Sequence, residues 1–364
     1  MPLSIECTNA VVPSDWDGRL SLSPDSHIKQ SARYANFYSS FFQSKALYLT
    51  AASGQEVVAL MLAFVDSPFW ASLSYTPLRR LLAAPARWIF PIMICQGGPI
   101  RLSTTDHPEA IRSLYETLIR AAQQAKCMEI KHLKPNIYSI DPGFDNICQI
   151  CRSLGFSIQM HATYVINLQQ SEENVWSGLA REARKNIRKC RREGVTVSRA
   201  ESDDDVRLYH ELLFRFRSER GMPEGDAKQY IEAWRSLHEA QGVEFFLAWH
   251  EERLIGGLGV LNFNGIIEEF AVARDEAHCR EKRLYPGDAI KWAIICWGLE
   301  IDARKYDLSG VSPTPLTEKE FNIRRFKEKW GGEYVEYPLC SISFRGFRRS
   351  VFTGMKSVYQ RFSR

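Results

Sequence analysis

The sequence predicts a two-domain α/β (α+β) protein in which one unit occurs twice, each time as a mixed sheet flanked by helices. The chain has 364 residues, 45% of them hydrophobic, which exceeds what one ordinary core accommodates. A strand, a polar turn and a second strand are predicted near the start of the chain and again in its second half. Each pair precedes a helical stretch and a short strand, the order typical of α/β units.

The repeat is one of layout, without matching residues. The predicted hairpin strands are 47–51 with 57–64, and 245–249 with 255–262. The helices and short strands that follow them are 107–125 with 129–133, and 286–301 with 305–308. Strand–turn–strand patterns are common, so the layout favours a duplication and chance similarity is the alternative. We predict a first domain at 1–160, a second at 161–335, and a C-terminal strand and basic tail at 336–364.

Composition narrows the class of protein. The net charge is only +4, but basic residues are clustered, which indicates local anionic partners and no nucleic-acid footprint over the whole surface. The nine cysteines lack the spacing of a disulfide framework, and Cys148 with Cys151 has no second pair to complete a zinc site, so no metal is predicted. Residues 1–17 do not read as a signal peptide, and the most apolar window, 88–95, is too short for a bilayer. We expect a soluble cytoplasmic protein with reduced thiols.

A basic helix is predicted between the two domains, over residues 171–194. Ser171 is a candidate N-cap, and Arg184, Lys185 and Arg188 share one face of the helix with further arginines. A row of this kind suits phosphates, whereas a simple solvated surface is the alternative. The next helix, 202–220, ends with Arg220, which either binds a ligand or only complements the helix dipole.

A short helix near the end of the second domain carries a lysine beside an apolar stripe. Thr317 and Glu320 have capping-box spacing, and two glycines after residue 330 provide the stop, so the helix is predicted over 318–330. The apolar residues of this helix that are expected to face the core are Ile323, Phe326 and Trp330. Lys327 then lies at the border of the stripe, where its amine faces either a cleft or, as a surface lysine, the solvent.

Several segments together resemble a known family. They are residues 163–168 leading into Arg184-Lys185-Asn186-Ile187-Arg188-Lys189, Glu219-Arg220-Gly221, Leu284-Tyr285-Pro286 with Tyr306-Asp307-Leu308-Ser309-Gly310, and Phe326-Lys327 before Trp330-Gly331-Gly332-Glu333. In the first half, Gly97-Gly98-Pro99 adds to them. By the order and spacing of these motifs, nearly the whole chain resembles the Fem family of non-ribosomal aminoacyl transferases (FemA, FemB and FemX type). The resemblance implies two tandem domains of the GNAT acyltransferase fold.

The resemblance also implies a reaction and roles for particular residues. An aminoacyl group carried on tRNA would pass to an amine of a peptidoglycan-type peptide. Lys327 would stabilise charge on the acyl carbonyl, with Phe326 packed beside it, and both would be catalytic. Arg220 would contact a phosphate of the acceptor, and Tyr285 would bind substrate. The face of Arg184, Lys185 and Arg188 would bind tRNA phosphates.

The sequence departs from the family pattern at two places. Phe270 stands near where a tyrosine is common, so one hydroxyl that binds the acceptor is missing. The loop at 280–287 has one glycine and does not match the glycine-rich loop that binds coenzyme A, which weakens a coenzyme A interpretation. Glu268 and Glu269 are candidates for a general base, but they are also candidates for ion pairs with arginines.

Three functions remain open. The first is a tRNA-dependent aminoacyl transferase of cell-wall biogenesis, which needs no cofactor beyond its donor substrate. The second is a GNAT-type N-acyltransferase that uses acyl-CoA or an acyl carrier protein on an amino sugar, an amino acid or a polysaccharide unit. The third is a non-catalytic module that binds RNA or a membrane. The tail 344–364 has six basic residues and no acidic one, which suits peripheral contact with the inner face of an anionic membrane.

Overall fold

A computed structural model describes residues 3–9, 11–66, 89–102, 108–133, 144–222, 226–344, 346–352 and 354. The chain divides into two compact units, of which unit 1 comprises Met1–Met160 with Tyr337–Arg364, and unit 2 comprises His161–Glu336. Of the segment 336–364, predicted as a separate strand and tail, the residues from Tyr337 onward therefore group with unit 1. Of the tail predicted to contact a membrane, 344–364, residues 345, 353 and 355–364 lie outside the described residues, while the described Val351 and Phe352 pack on the apolar cluster around Phe90.

The sheet of unit 1 has the strand order β1-β2-β3-β4-β6-β13, and β5 pairs with β3. Its strands are β1 (Leu3–Asn9), β2 (Lys45–Ser53), β3 (Glu56–Asp66), β4 (Ile92–Ile94), β5 (Ile100–Arg101), β6 (Glu129–Leu133) and β13 (Glu333–Ser343). All neighbours are antiparallel except β4 and β6, which are parallel. Its helices are α1 (Trp16–Ser21), α2 (Ala32–Phe42), α3 (Pro108–Gln124) and α4 (Phe144–Ser153).

The sheet of unit 2 has the order β8-β9-β10-β11-β12-β7. Its strands are β7 (Ser157–Asn167), β8 (Thr196–Arg199), β9 (Val243–His250), β10 (Arg253–Phe263), β11 (Ile266–Arg274) and β12 (Lys305–Asp307). Its helices are α5 (Glu172–Gly178), α6 (Arg181–Arg192), α7 (Asp203–Ser218), α8 (Ala227–Leu237), α9 (Glu276–Lys282), α10 (Pro286–Glu300) and α11 (Glu318–Glu328). Only β11 and β12 run parallel among the neighbouring strands described.

The two units share one internal plan, as the predicted repeat of hairpin, helix and strand requires. In each, an antiparallel run leads to one parallel pair and then to one further antiparallel strand, and a helix between those two parallel strands, α3 or α10, packs on the sheet. The β9–β10 turn contains Glu251 and Glu252, both with positive φ, which is the geometry of a two-residue hairpin turn. Each unit has its own apolar core built from its sheet and helices.

The helix α11 differs in part from its prediction. The capping box of Thr317 and Glu320 is present, and Gly331 adopts a left-handed conformation with φ of 70°. The helix ends at Glu328, two residues earlier than predicted, and Ile323 is 38% exposed, so the expectation that it faces the core is wrong. Trp330 is buried and Phe326 is half-buried. Two lysines lie near the Phe326 ring, at the edge of the core, whereas Trp330 belongs to the apolar core of unit 2.

Candidate active site

The sheet of unit 2 opens where β12 ends. Ile266, Ile267 and Glu268 of β11 pair with β12, which stops at Asp307, whereas β11 continues to Arg274. A bulge in β11 leaves Ala271 unpaired with a φ of 47°. The strands β11 and β12 therefore stop pairing after Glu268 and Asp307, which leaves a gap between them. This gap organises the candidate site.

The chain leaves β12 through a strained residue. Ser309 is a non-glycine residue with φ of 63°, a conformation that costs free energy unless its surroundings hold it. The buried carboxyl of Asp307 accepts the backbone N–H of Ser309 at 2.7 Å. The hydroxyl of Thr163 on β7 lies 2.5 Å from the same Asp307 oxygen and 2.9 Å from the carbonyl oxygen of Ser309. These contacts fix the direction of that carbonyl.

Lys327 binds this strand end. Its Nζ donates hydrogen bonds to the carbonyl oxygens of Ser309 and Gly310, each at 2.9 Å. An ammonium group has three N–H donors, and within the described part of the chain the third has no acceptor. Lys327 is therefore held at two points and has one donor left for a ligand.

Burial gives Lys327 an unusual acidity. Burial is the largest cause that lowers the pKa of the Lys327 amine from 10.5 to about 8; the positive charge of Lys291 acts in the same direction, and Glu269 and Asp307 act in the opposite direction. An amine in this state is still mostly an ammonium ion at neutral pH, yet it releases its proton readily. Such perturbed groups are typical of catalytic positions.

A buried ion pair lies next to Lys327. Lys291 on α10 is 4% exposed, and its Nζ contacts Oε1 of the buried Glu269 on β11. The hydroxyl of Tyr306 on β12 donates to the same oxygen. Burial, followed by the charge of Glu269, raises the pKa of the Tyr306 phenol well above its usual value, which keeps that proton on the hydroxyl. One carboxylate thus links α10, β11 and β12.

Phe326 lies among these charges. The Nζ of Lys329 is 4.3 Å from the centre of its ring, and that of Lys291 is 5.7 Å away. The ring also covers Gly287 at the start of α10, since a Cβ there would be 3.7 Å from the ring. Phe326 therefore lies near two lysines and against the first turn of α10.

The end of α11 is anchored to α6 and α10. Lys329 forms a 2.6 Å ion pair with the buried Asp288, which also accepts a hydrogen bond from Asn186 of α6 at 3.2 Å. Burial raises the pKa of the Asp288 carboxyl, and Lys329 opposes this. Gly331 crosses the backbone of Gly178 so closely that a Cβ would lie 2.5 Å from its oxygen. The position of Lys327 is thereby fixed from its C-terminal side.

The predicted basic face is only partly available for phosphates. Arg184 donates to the carbonyl oxygens of Trp176 and Ser177, and so it serves the end of α5. The guanidinium of Arg188 lies 5.3 Å from the ring of Trp176, and its side chain is exposed. Lys185 is also exposed. The prediction that these residues bind phosphates stays a prediction, with Arg184 the least suited of the three.

Tyr285 is placed beside this helix. Its backbone precedes Pro286 at the start of α10, its side chain is 42% exposed, and the Nζ of Lys189 lies 5.8 Å from its ring. Lys189 itself donates to the carbonyl oxygen of Arg283 at 2.7 Å. Tyr285 thus presents an exposed ring and hydroxyl near the basic helix, and its substrate-binding role stays a prediction.

Arg220 lies in a separate cluster. It donates to the carbonyl oxygen of Phe216 at 2.8 Å, stacks 3.7 Å from the Phe216 ring, and pairs with Glu276, which Arg274 also contacts. Arg274 is five residues beyond Glu269, about 15 Å along an extended strand. Arg220 and Lys327 therefore lie in two different regions of unit 2.

Sequence reasoning missed Lys291, Asp288, Lys329 and Thr163. Lys291 is the single basic residue of α10, a helix whose other residues are mostly apolar, and this was the available signal of a buried functional charge. Glu269 was named as a base or an ion-pair partner, and the structure shows the ion pair, with a lysine in place of the expected arginine. Among the described residues, no cluster of three or more His, Cys, Asp or Glu side chains is arranged to hold a metal.

A comparison with protein-family models assigns most of unit 2 to a class of domain. Residues 177–320 match the family model described as an acetyltransferase (GNAT) domain. This range contains Tyr285, Lys291 and Glu269, and it ends within α11 before Lys327. The match gives unit 2 the class of a GNAT acyltransferase domain. A search of curated proteins returned no match.

Solved structures extend the fold to the whole chain. A crystal structure of FemX matches with a TM-score of 0.69 and 14% identity, covering 92% of this chain and 96% of that chain. A tandem GNAT protein from the clavulanic acid biosynthesis pathway matches with a TM-score of 0.56 and 13% identity, covering 93% and 98%. L-PGS from Bacillus licheniformis matches with a TM-score of 0.51 and 11% identity, covering 92% and 98%. The predicted tandem GNAT fold is confirmed, and the resemblance to Fem-type proteins holds for the fold.

Proposed function

We propose that this protein is a Fem-like acyltransferase that transfers an aminoacyl group from aminoacyl-tRNA to an amine of a cell-wall peptide precursor. The acceptor amine attacks the carbonyl carbon of the aminoacyl ester, and an amide bond forms. The ester C–O bond then breaks, and the tRNA hydroxyl leaves with a proton that the amine gives up. The charge to be stabilised in between is on the carbonyl oxygen.

The main support for this proposal is the pair of hydrogen bonds that the Nζ of Lys327 donates to two backbone carbonyl oxygens. Because Ser309 and Gly310 hold its Nζ at 2.9 Å each, the remaining N–H has a fixed direction. A donor that is already in place stabilises a developing oxyanion without reorganisation, and removing such a donor costs about 3 to 4 kcal/mol. The partial burial of Lys327 strengthens the interaction.

The side chains at the start of α10 favour an acyl donor other than acyl-CoA. A pyrophosphate bound there would use the partial positive charge of the helix N-terminus. In this chain the buried Asp288 occupies the first turn of α10 and pairs with Lys329, and Phe326 covers Gly287. An anion at this position would meet a carboxylate and an aromatic ring, which disfavours it.

The exposed basic side chains of helix α6 favour a polyanionic donor such as tRNA. Lys185 and Arg188 are exposed on α6, and Tyr285 presents an exposed ring near that helix. Phosphates of a tRNA acceptor stem would bind these side chains by charge, and such binding weakens steeply with salt. Arg220, with its half-buried guanidinium beside Arg274, is the residue proposed for a phosphate of the acceptor.

A second candidate is an N-acyltransferase that uses acyl-CoA. The matched family model is described as an acetyltransferase domain, and the relative from the clavulanic acid pathway is described in a form without AcCoA. Lys327 would serve the thioester carbonyl in the same way. The two candidates therefore differ in the donor and share the catalytic group.

The experiment is a transfer assay with two donors. Purified full-length protein is given an amine-containing peptidoglycan precursor and either tRNA charged with radiolabelled amino acids or labelled acetyl-CoA. We expect label in the precursor from aminoacyl-tRNA alone. Label from acetyl-CoA alone would replace the proposal with the second candidate, and label from neither would reject both.

A further inference from the structure

The buried pair of Lys291 and Glu269 is connected to Lys327 by two routes. Through Phe326, the Nζ of Lys291 lies 5.7 Å from the ring of the residue next to Lys327. Through the backbone, Tyr306 binds Glu269 by its hydroxyl, and three residues later Ser309 accepts the hydrogen bond of Lys327. Both members of the pair are more than nine-tenths buried, so water does not screen their charges.

We propose that Lys291 and Glu269 act together as a positioning pair that sets the charge state of Lys327 during acyl transfer. The proposal rests on the proposed function, in which Lys327 serves the acyl carbonyl. The pair itself does not touch the reacting atoms. Its two opposite charges lie on different elements, and both act electrostatically on the Lys327 amine, which is the group that serves the acyl carbonyl.

The charges around Lys327 come from each element packed against it. From β11 comes Glu269, from the end of β12 comes Asp307, and from α10 comes Lys291. The two carboxylates favour the ammonium form of Lys327, whereas Lys291 and burial favour the neutral amine. On the far side of Phe326, Lys329 is paired with Asp288. The balance between Glu269 and Lys291 is therefore the adjustable part of the surroundings.

This arrangement predicts opposite effects for the two members of one pair. Lys291→Met removes a repelling positive charge and leaves Glu269 without its partner, so both changes favour the protonated form of Lys327. Glu269→Gln removes an attracting negative charge and leaves Lys291 unneutralised, so both changes favour the free amine. The double variant replaces both charges with uncharged groups of similar size, and the two effects cancel.

The experiment measures the titration of Lys327 directly. Wild type and the three variants are treated with trace acetic anhydride between pH 6 and 11, and acetylation of Lys327 is quantified by mass spectrometry of its peptide, with the exposed Lys319 as internal reference. We expect the midpoint to rise by about 1 pH unit in Lys291→Met and to fall by about 1 unit in Glu269→Gln, with the double variant close to wild type. The pH profile of kcat/KM should move in the same directions while KM for the acceptor stays within about twofold.

A purely structural pair would give a different pattern. Both single variants would then lose activity and stability together, with the Lys327 midpoint unmoved or shifted in one direction, and this result would overturn the inference. The double variant and Lys291→Arg, which keeps the charge, cover the case in which a single variant fails to fold. Opposite midpoint shifts with no effect on transfer would preserve the inference about charge and reject the role of Lys327 in the proposed reaction.

Discussion

Replacing Lys327 with methionine should cost activity and should not cost stability. A fall in the pKa of a lysine from 10.5 to about 8 on folding means that the folded protein disfavours the ammonium form by about 3 kcal/mol. Methionine has a similar shape and no charge to bury. The variant also loses two hydrogen bonds from a charged group, to Ser309 and Gly310, worth about 1.5 kcal/mol each. At pH 7 the two contributions nearly cancel, and we expect the free energy of unfolding to change by less than about 1 kcal/mol.

The sign of the pH dependence follows from proton linkage. Below pH 8, Lys327 is protonated in the folded and the unfolded chain, and the full cost of burying the charge is present. Between pH 8 and about 10.5 the folded chain releases the proton while the unfolded chain keeps it, so the wild type gains stability as pH rises. Relative to the wild type, the methionine variant therefore loses about 3 kcal/mol of stability across this window, and above it the wild type is the more stable protein.

Urea unfolding of both proteins, followed by circular dichroism at pH 7 and pH 10, measures this difference. Lys319→Met, an exposed change on the same helix, is the matched control and should show no pH-dependent difference. The reasoning is refuted if Lys327→Met is less stable than wild type by more than about 1 kcal/mol at pH 7, or if the difference between the proteins is the same at both pH values.

Three further outcomes are expected. If Lys327 acts as an ammonium ion, kcat/KM should decline above pH 8 with a single ionisation, and Lys327→Arg should remove that decline from the pH profile. Gly331→Ala should lower the free energy of unfolding by about 2 kcal/mol because of its positive φ and the contact with Gly178, whereas Gly346→Ala, which meets no neighbour, should change it little in the same urea titration. Arg220→Ala should raise KM for a phosphate-bearing acceptor about tenfold with kcat nearly unchanged, and steady-state kinetics of the exposed Arg207→Ala should match wild type.

The sequence was sufficient for the elements and their order. The hairpins of both units, the helices α3 and α10 and the capping box of Thr317 each depend on local patterns of apolar, turn and capping residues, and local patterns are readable without a structure. The resemblance in motifs then gave the fold of both units. These features needed no knowledge of which side chains meet in space.

The side chains that surround Lys327 could not be predicted from local sequence patterns. Lys291 reaches Glu269 across 22 positions in sequence, and Thr163 reaches Asp307 across 144. Neither pair has a spacing that predicts contact. Arg184 is an example of the opposite error. Its position on a basic face suggested that it binds a ligand, but its guanidinium donates to a carbonyl oxygen at the end of the preceding helix. A pattern identifies a candidate side chain, and only the fold shows whether its hydrogen bonds are already used.

The central claim is that the amine of Lys327 stabilises the transition state of acyl transfer. The most direct measurement is the single-turnover rate of label transfer from aminoacyl-tRNA to the acceptor by Lys327→Met, compared with Lys319→Met and wild type at saturating substrates. We predict a rate about 100 to 1000 times slower for Lys327→Met, with the control equal to wild type. A rate for Lys327→Met within about threefold of wild type would contradict the claim.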